Sequence, residues 1–130
     1  MKVVFCSTTG KVRTFVKKLV ALDESIETIE IKNGKEVVSD KFLLITPTTK
    51  IGEMPDRLVD FLRNDTNASN VTGVVGSGNR NWGNYFCGGA YKASAMVNAP
   101  VLYLFENRGN EIDVASVLKI FNSLQEKQGE

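Results

Sequence analysis

The chain has 130 residues, of which 42% are hydrophobic and 24% charged, with a formal net charge of +1. These values are ordinary for one soluble globular domain spanning residues 1–130 with a single sizeable core. The near-neutral balance gives no electrostatic footprint for nucleic acid, and no apolar run approaches the length of a membrane span. "KVVFC" (2–6) is a short apolar run rich in β-branched residues and predicts a buried strand. "STTG" interrupts it, and "KVRTFVKKLVAL" then sets Val12, Phe15, Val16 and Leu19 at helical spacing. "SIETIEI" (25–31) alternates as a strand, and "FLLIT" (42–46) reads as a second buried one. "PTTKIGEM" is a loop, and Pro55 suits the first turn of a helix through "DRLVDFLRN". "VTGVVGS" (71–77) is a strand, followed by a glycine- and asparagine-rich loop and a helix around 84–97. "PVLYLFE" (100–106) is the last strand and "IDVASVLKIFNSLQ" the last helix.

Alternating strands and helices predict an α/β fold: a doubly wound parallel sheet of five strands in the order 2-1-3-4-5. Only "KNGKEVVSDK" joins the second strand to the third. A crossover with its helix needs at least roughly 10–12 residues, so this one is expected to be mostly coil. Ligands of open α/β sheets bind beyond the carboxyl ends of the strands, where strand order reverses. In this order that point lies between strands one and three, at "STTG" and "TPTTKIGE", with "GSGNRNWG" alongside.

The absence of histidine removes Ser-His and Cys-His catalysis and histidine metal ligands. Cys6 and Cys87 form no CxxC pair and read as buried thiols of a cytoplasmic protein, and no signal peptide opens the chain. "NAS" at Asn67 and "NVT" at Asn70 match the glycosylation pattern without a secretory context. "STTGK" carries hydroxyls at a helix N-terminus, where a phosphate fits; an ordinary helix cap explains the same four residues. Cysteine phosphatases need five residues between the nucleophilic Cys and the Arg, whereas Cys6 and Arg13 are separated by six, "STTGKV". That reading stands as the alternative from a different functional class. Asp23/Glu24 and Asp56/Asp60 look like solvated helix ends or faces, and Glu53 and Glu106 sit near strand ends. The only tryptophan, Trp82, lies between Gly78 and Gly83, which permit close approach to a flat ligand on which the indole can stack. Asn79, Asn81 and Asn84 offer amide groups to a heteroaromatic edge. The plainer explanation is a structured loop whose Trp caps the core.

On "STTGKVRTFV", "ITPTTKIGEMPDRLVDFL", "GSGNRNWGNYF" and "FENRGNEIDV", the chain resembles the NrdI flavodoxins over nearly its whole length. The resemblance implies a flavodoxin-like fold and bound FMN. It places Ser7, Thr8, Thr9, Gly10, Lys11 and Val12 around the FMN phosphate. It places Thr48, Thr49, Lys50, Ile51 and Gly52 along the isoalloxazine ring, and Ser77, Gly78, Asn79, Trp82, Gly83 and Phe86 in a third flavin loop. It implies no metal and no catalytic side chain of the chain's own. The implied role is electron transfer: a reduced flavin meets dioxygen, and the resulting superoxide activates the radical-generating small subunit of a class I ribonucleotide reductase. A separate, unidentified reductant would reduce the flavin, and Arg80 and Arg108 would sit at the rim of the docking surface. The family usually has Asn where this chain has Lys11, and Gly-Phe-Gly or similar where it has "KIG".

Overall fold

The computed structural model of the chain describes residues 1–49 and 52–128, with the side chains of Trp82, Asn84 and Tyr85 outside the description. Its strands are β1 (Lys2–Phe5), β2 (Thr28–Glu30), β3 (Phe42–Thr46), β4 (Val71–Gly78) and β5 (Val101–Glu106). Its helices are α1 (Lys11–Leu22), α2 (Asp56–Leu62), α3 (Asp65–Ser69), α4 (Gly88–Val97) and α5 (Glu111–Gln128), with a 3-10 segment at Arg80–Tyr85. The sheet is five-stranded in the order β2-β1-β3-β4-β5, and every pairing is parallel.

Alternation along the central strands divides the core. Val3, Phe5, Leu43, Ile45 and Val75 face α1 and α5, where Phe15 stacks on Phe105 with ring centroids 4.0 Å apart. Val4, Cys6, Phe42, Leu44 and Val74 face α2 and α4, packing on Leu58, Phe61, Ala90 and Ala93. β3 is buried along its whole length, which is why it reads as an unbroken apolar run.

The β2–β3 crossover is coil, as its length predicts. It is nevertheless well tied down. The fully buried Asn67 accepts a hydrogen bond from Val38 N–H (2.7 Å) and donates to the carbonyls of Glu36 (2.8 Å) and Phe61 (2.9 Å). Glu36 closes the loop by accepting from the N–H groups of Lys32, Asn33 and Gly34. A side chain so committed is no glycosylation acceptor.

Three boundaries differ from expectation. β2 is only Thr28–Glu30, because Asp23 accepts from both Ser25 N–H and Ser25 Oγ and turns the chain after α1. The helix after Pro55 ends at Leu62, and α3 follows with Asn64 as its side-chain cap. The helix expected from residue 84 starts at Gly88, since Phe86 is extended and Cys87 is left-handed (φ 56°).

Candidate functional site

The loops after β1, β3 and β4 meet at the carboxyl end of the sheet. There Thr8, Thr9, Lys11, Pro47, Thr48, Ser77, Gly78, Asn79 and Asn107 line a cleft. Its volume is about 120 Å³, below the roughly 300–1,000 Å³ of drug-sized ligand pockets. It suits the narrow part of a ligand, with any broad ring system lying across the rim.

One wall is the β1–α1 turn. Gly10 takes φ 88°, a conformation that glycine adopts without strain, and α1 begins at the next residue. Ser7, only 4% exposed, accepts a hydrogen bond from Arg13 N–H (3.3 Å), and the carbonyl of Ser7 accepts from the Arg57 guanidinium. Ser7 is thus spent on building the turn. The first-turn N–H groups of Lys11 and Val12 precede any intrahelical partner, and the exposed hydroxyls of Thr8 and Thr9 stand beside them. The Val12 side chain is fully buried in the core, so only its backbone is available here. Lys11 reaches across the cleft, and its Nζ donates to Asn107 Oδ1 at 3.1 Å.

The opposite wall is the β3–α2 loop held against α4. Thr49 and Glu53 exchange two backbone hydrogen bonds of 2.8 Å, an isolated antiparallel bridge that pins the two ends of a hairpin. Lys50 and Ile51, expected along a flavin ring, lie outside the described residues. Thr48 Oγ1 is turned inward and accepts from Gly89 N–H at 3.1 Å, while Lys92 pairs with Glu53 at 2.5 Å. A Cβ at Gly88 would meet Gly52 Cα and O at 2.7 Å, so this contact is backbone on backbone. Hairpin and helix start therefore form one packed unit.

The third side is the β4–α4 loop. Ser77 Oγ donates to the Asn107 carbonyl at 2.6 Å, and Asn79 accepts from Asn81 N–H, capping the 3-10 segment that contains Trp82 and Gly83. The missing side chain of Gly78 is used by the protein itself, because a Cβ there would meet Cys87 N at 2.6 Å. Phe86 lies under Arg80, whose Cζ is 4.7 Å from the ring centroid and whose Nε is 4.0 Å from Glu106. Thr8, Thr9, Lys11, Thr48, Ser77, Gly78 and Asn79 thus share one cleft; Ser7, Gly10 and Val12 support it from behind. Thr49 faces a neighbouring depression with Thr8, Met54, Pro55, Asp56 and Arg57. Pro47, Arg57 and Asn107 were not singled out from the sequence.

The geometry withholds what a cysteine phosphatase requires. Cys6 is fully buried, and burial raises its thiol pKa to about 11 although Arg57 opposes the shift. Arg13 turns to β2 instead, where it forms a two-point pair with Glu30 (3.0 and 2.6 Å). That bond holds the Glu30 carboxyl below its ordinary range. Among the described residues no cluster of acidic and cysteine side chains is arranged to hold a metal, and no helix is long and apolar enough to cross a membrane.

A family model described as "NrdI Flavodoxin like" matches residues 3–119. A Fusobacterium nucleatum flavodoxin bound to flavin mononucleotide superimposes with a TM-score of 0.70 at 18% identity, covering 97% of this chain and 96% of that one. A short-chain flavodoxin associated with a non-canonical PDU bacterial microcompartment gives 0.67 at 20% identity, with the same coverages. The solution structure of two-electron reduced Megasphaera elsdenii flavodoxin gives 0.62 at 18% identity, covering 90% and 96% of the two chains. At such identities the structural likeness speaks for the fold.

Proposed function

The chain belongs to the NrdI flavodoxin-like family, and from that premise we propose that it binds FMN and delivers electrons that activate the radical-generating subunit of a class I ribonucleotide reductase. The observation that carries the flavin reading is the convergence of three polar loops on one cleft at the point where strand order reverses. The donor set fits the cofactor's phosphate: two N–H groups at a helix start, two hydroxyls and an ammonium surround the narrow end. The ring would lie over the rim, between the hairpin at Gly52 and the loop bearing Trp82, Gly83 and Phe86.

When bound, FMN would supply one-electron chemistry toward dioxygen, and superoxide would be the oxidant that this reading assigns to the partner's metal site. The protein's own contribution is positional. The α1 start and Lys11 hold the anionic end, the hairpin is braced by Thr48, Gly88 and Lys92, and the 3-10 loop presents an outward face. Arg80, 66% exposed at its side chain, stands on that face beside Arg108 and suits the rim of a docking surface.

The test has two arms. Purified protein titrated with FMN should bind it stoichiometrically and show a flavin absorption band; a colourless protein that takes up no FMN overturns the cofactor. The reduced, FMN-loaded protein, mixed with the cognate radical subunit and oxygen, should raise the radical yield, and superoxide dismutase should lower it. An unchanged yield with flavin bound overturns the partner assignment alone.

A further inference from the structure

We propose that Asn107 presents Lys11 to the anionic group in the cleft, and that this pair makes the site discriminate phosphorylated from unphosphorylated flavin. The inference rests on the flavin reading above. Lys11 and Asn107 lie 96 positions apart, on the α1 start and the β5–α5 turn, and both line the cleft. Asn107 is itself fixed by two hydrogen bonds in a left-handed turn. Its φ is 55°, its N–H donates to the Gly78 carbonyl (2.9 Å), and its carbonyl accepts from Ser77 Oγ (2.6 Å). The side-chain amide is thereby left to hold the lysine.

The chemistry of that acceptor matters. Arg13 faces the carboxylate of Glu30, and Arg80 faces that of Glu106, so much of each charge is compensated. Lys11 is held by a neutral amide oxygen, a partner that brings no opposing charge to the cleft. A free lysine side chain loses rotamer freedom when it is fixed. A lysine already tethered has met much of that cost before the ligand arrives, as preorganisation requires. The gain applies only to a ligand carrying a phosphate, because the ammonium lies at that end.

The measurement is flavin binding by fluorescence titration, with FMN and riboflavin compared. Asn107→Gly keeps the left-handed backbone and removes the tether. It should weaken FMN roughly three- to tenfold, the range of one net hydrogen bond, and leave riboflavin unchanged. In a Lys11→Met background the same change should no longer alter the FMN to riboflavin ratio. Asn107→Asp, which also tolerates this backbone, should weaken FMN further by compensating the ammonium, and serves if the glycine variant folds poorly. Equal losses for both ligands, or an unchanged FMN affinity in Asn107→Gly, overturn the proposal. Wild-type protein that binds both flavins equally overturns it while sparing the flavin reading; protein that binds neither overturns both.

Discussion

At single residues the two cysteines have the clearest chemistry. Burial pushes the Cys6 thiol up to about 11 and the Cys87 thiol up to about 12. Both are therefore neutral near pH 8, where an ordinary cysteine is partly thiolate. Native protein mixed with a disulfide reagent at pH 8 should show almost no fast-reacting thiol, and unfolded protein should show both. A rapid native reaction that disappears in Cys6→Ser would show that Cys6 is accessible after all. Cys87 adds a backbone feature, because a non-glycine residue in the left-handed region costs roughly 1–2 kcal/mol. Its place at the start of α4 leaves little alternative. The chain must turn there for Gly88 and Gly89 to meet the β3–α2 loop.

Among the elements, the β2–β3 crossover depends most on a single side chain. Asn67→Ala would leave Val38 N–H and the Glu36 carbonyl without these partners and take one donor from the Phe61 carbonyl, which also accepts from Asn64 N–H. Each buried unsatisfied group costs about 1–3 kcal/mol, so a total loss of about 2–4 kcal/mol is expected. Urea unfolding measures it, and a loss below about 1 kcal/mol would mean that the coil is not anchored through Asn67. The fate of this segment also shows what a sequence can convey. Strands buried on both faces, such as "FLLIT", are legible because every position is apolar, and the α1 stripe because its spacing is helical. The coil crossover is legible from its length. The short β2 is not, since Asp23 ends the alternation through a side-chain turn that hydrophobic pattern ignores. The β1–α1 cradle stands out through its small polar residues, but Asn107 does not, because its value lies in a contact across 96 positions. Thr48 lines the cleft and Ser7 lies behind it, yet their hydroxyls serve the α4 and α1 starts, which only the packed structure reveals.

Across the whole molecule, titration is lopsided. Among the described residues three carboxyls have lowered pKa values, Glu30, Glu36 and Asp40, and they lie within eleven residues on the β2 side of the sheet. Glu30 is lowered by Arg13 and Asp40 by Lys2, whereas at Glu36 loop N–H groups outweigh an opposing burial effect. A carboxyl with a lowered folded pKa stabilises fully above its unfolded value, about 3.9 for Asp and 4.3 for Glu, and loses that contribution as pH falls through the folded pKa. Acid should therefore loosen residues 27–41 before it reaches β4, β5 or α5. Hydrogen exchange followed from pH 6 to pH 3 should show protection failing there first, and the stability gap between wild type and Glu30→Gln should narrow over the same range. Uniform loss of protection, or a gap that stays constant, would show that these pairs do not govern the acid limb.

The split core also has a consequence for how the chain is made. The layer against α2 and α4 draws its buried residues from Val4 to Ala99, whereas the layer against α1 and α5 needs Phe105, Val114, Val117 and Phe121. During synthesis the first layer can close while the apolar stripe of α1 still waits for its cover, a stage at which exposed surface invites chaperones. The cleft is finished later than its β1–α1 turn, because the Lys11 tether arrives only with Asn107. A nascent chain thus carries that turn long before the latch, and the cleft is complete only in the last part of translation.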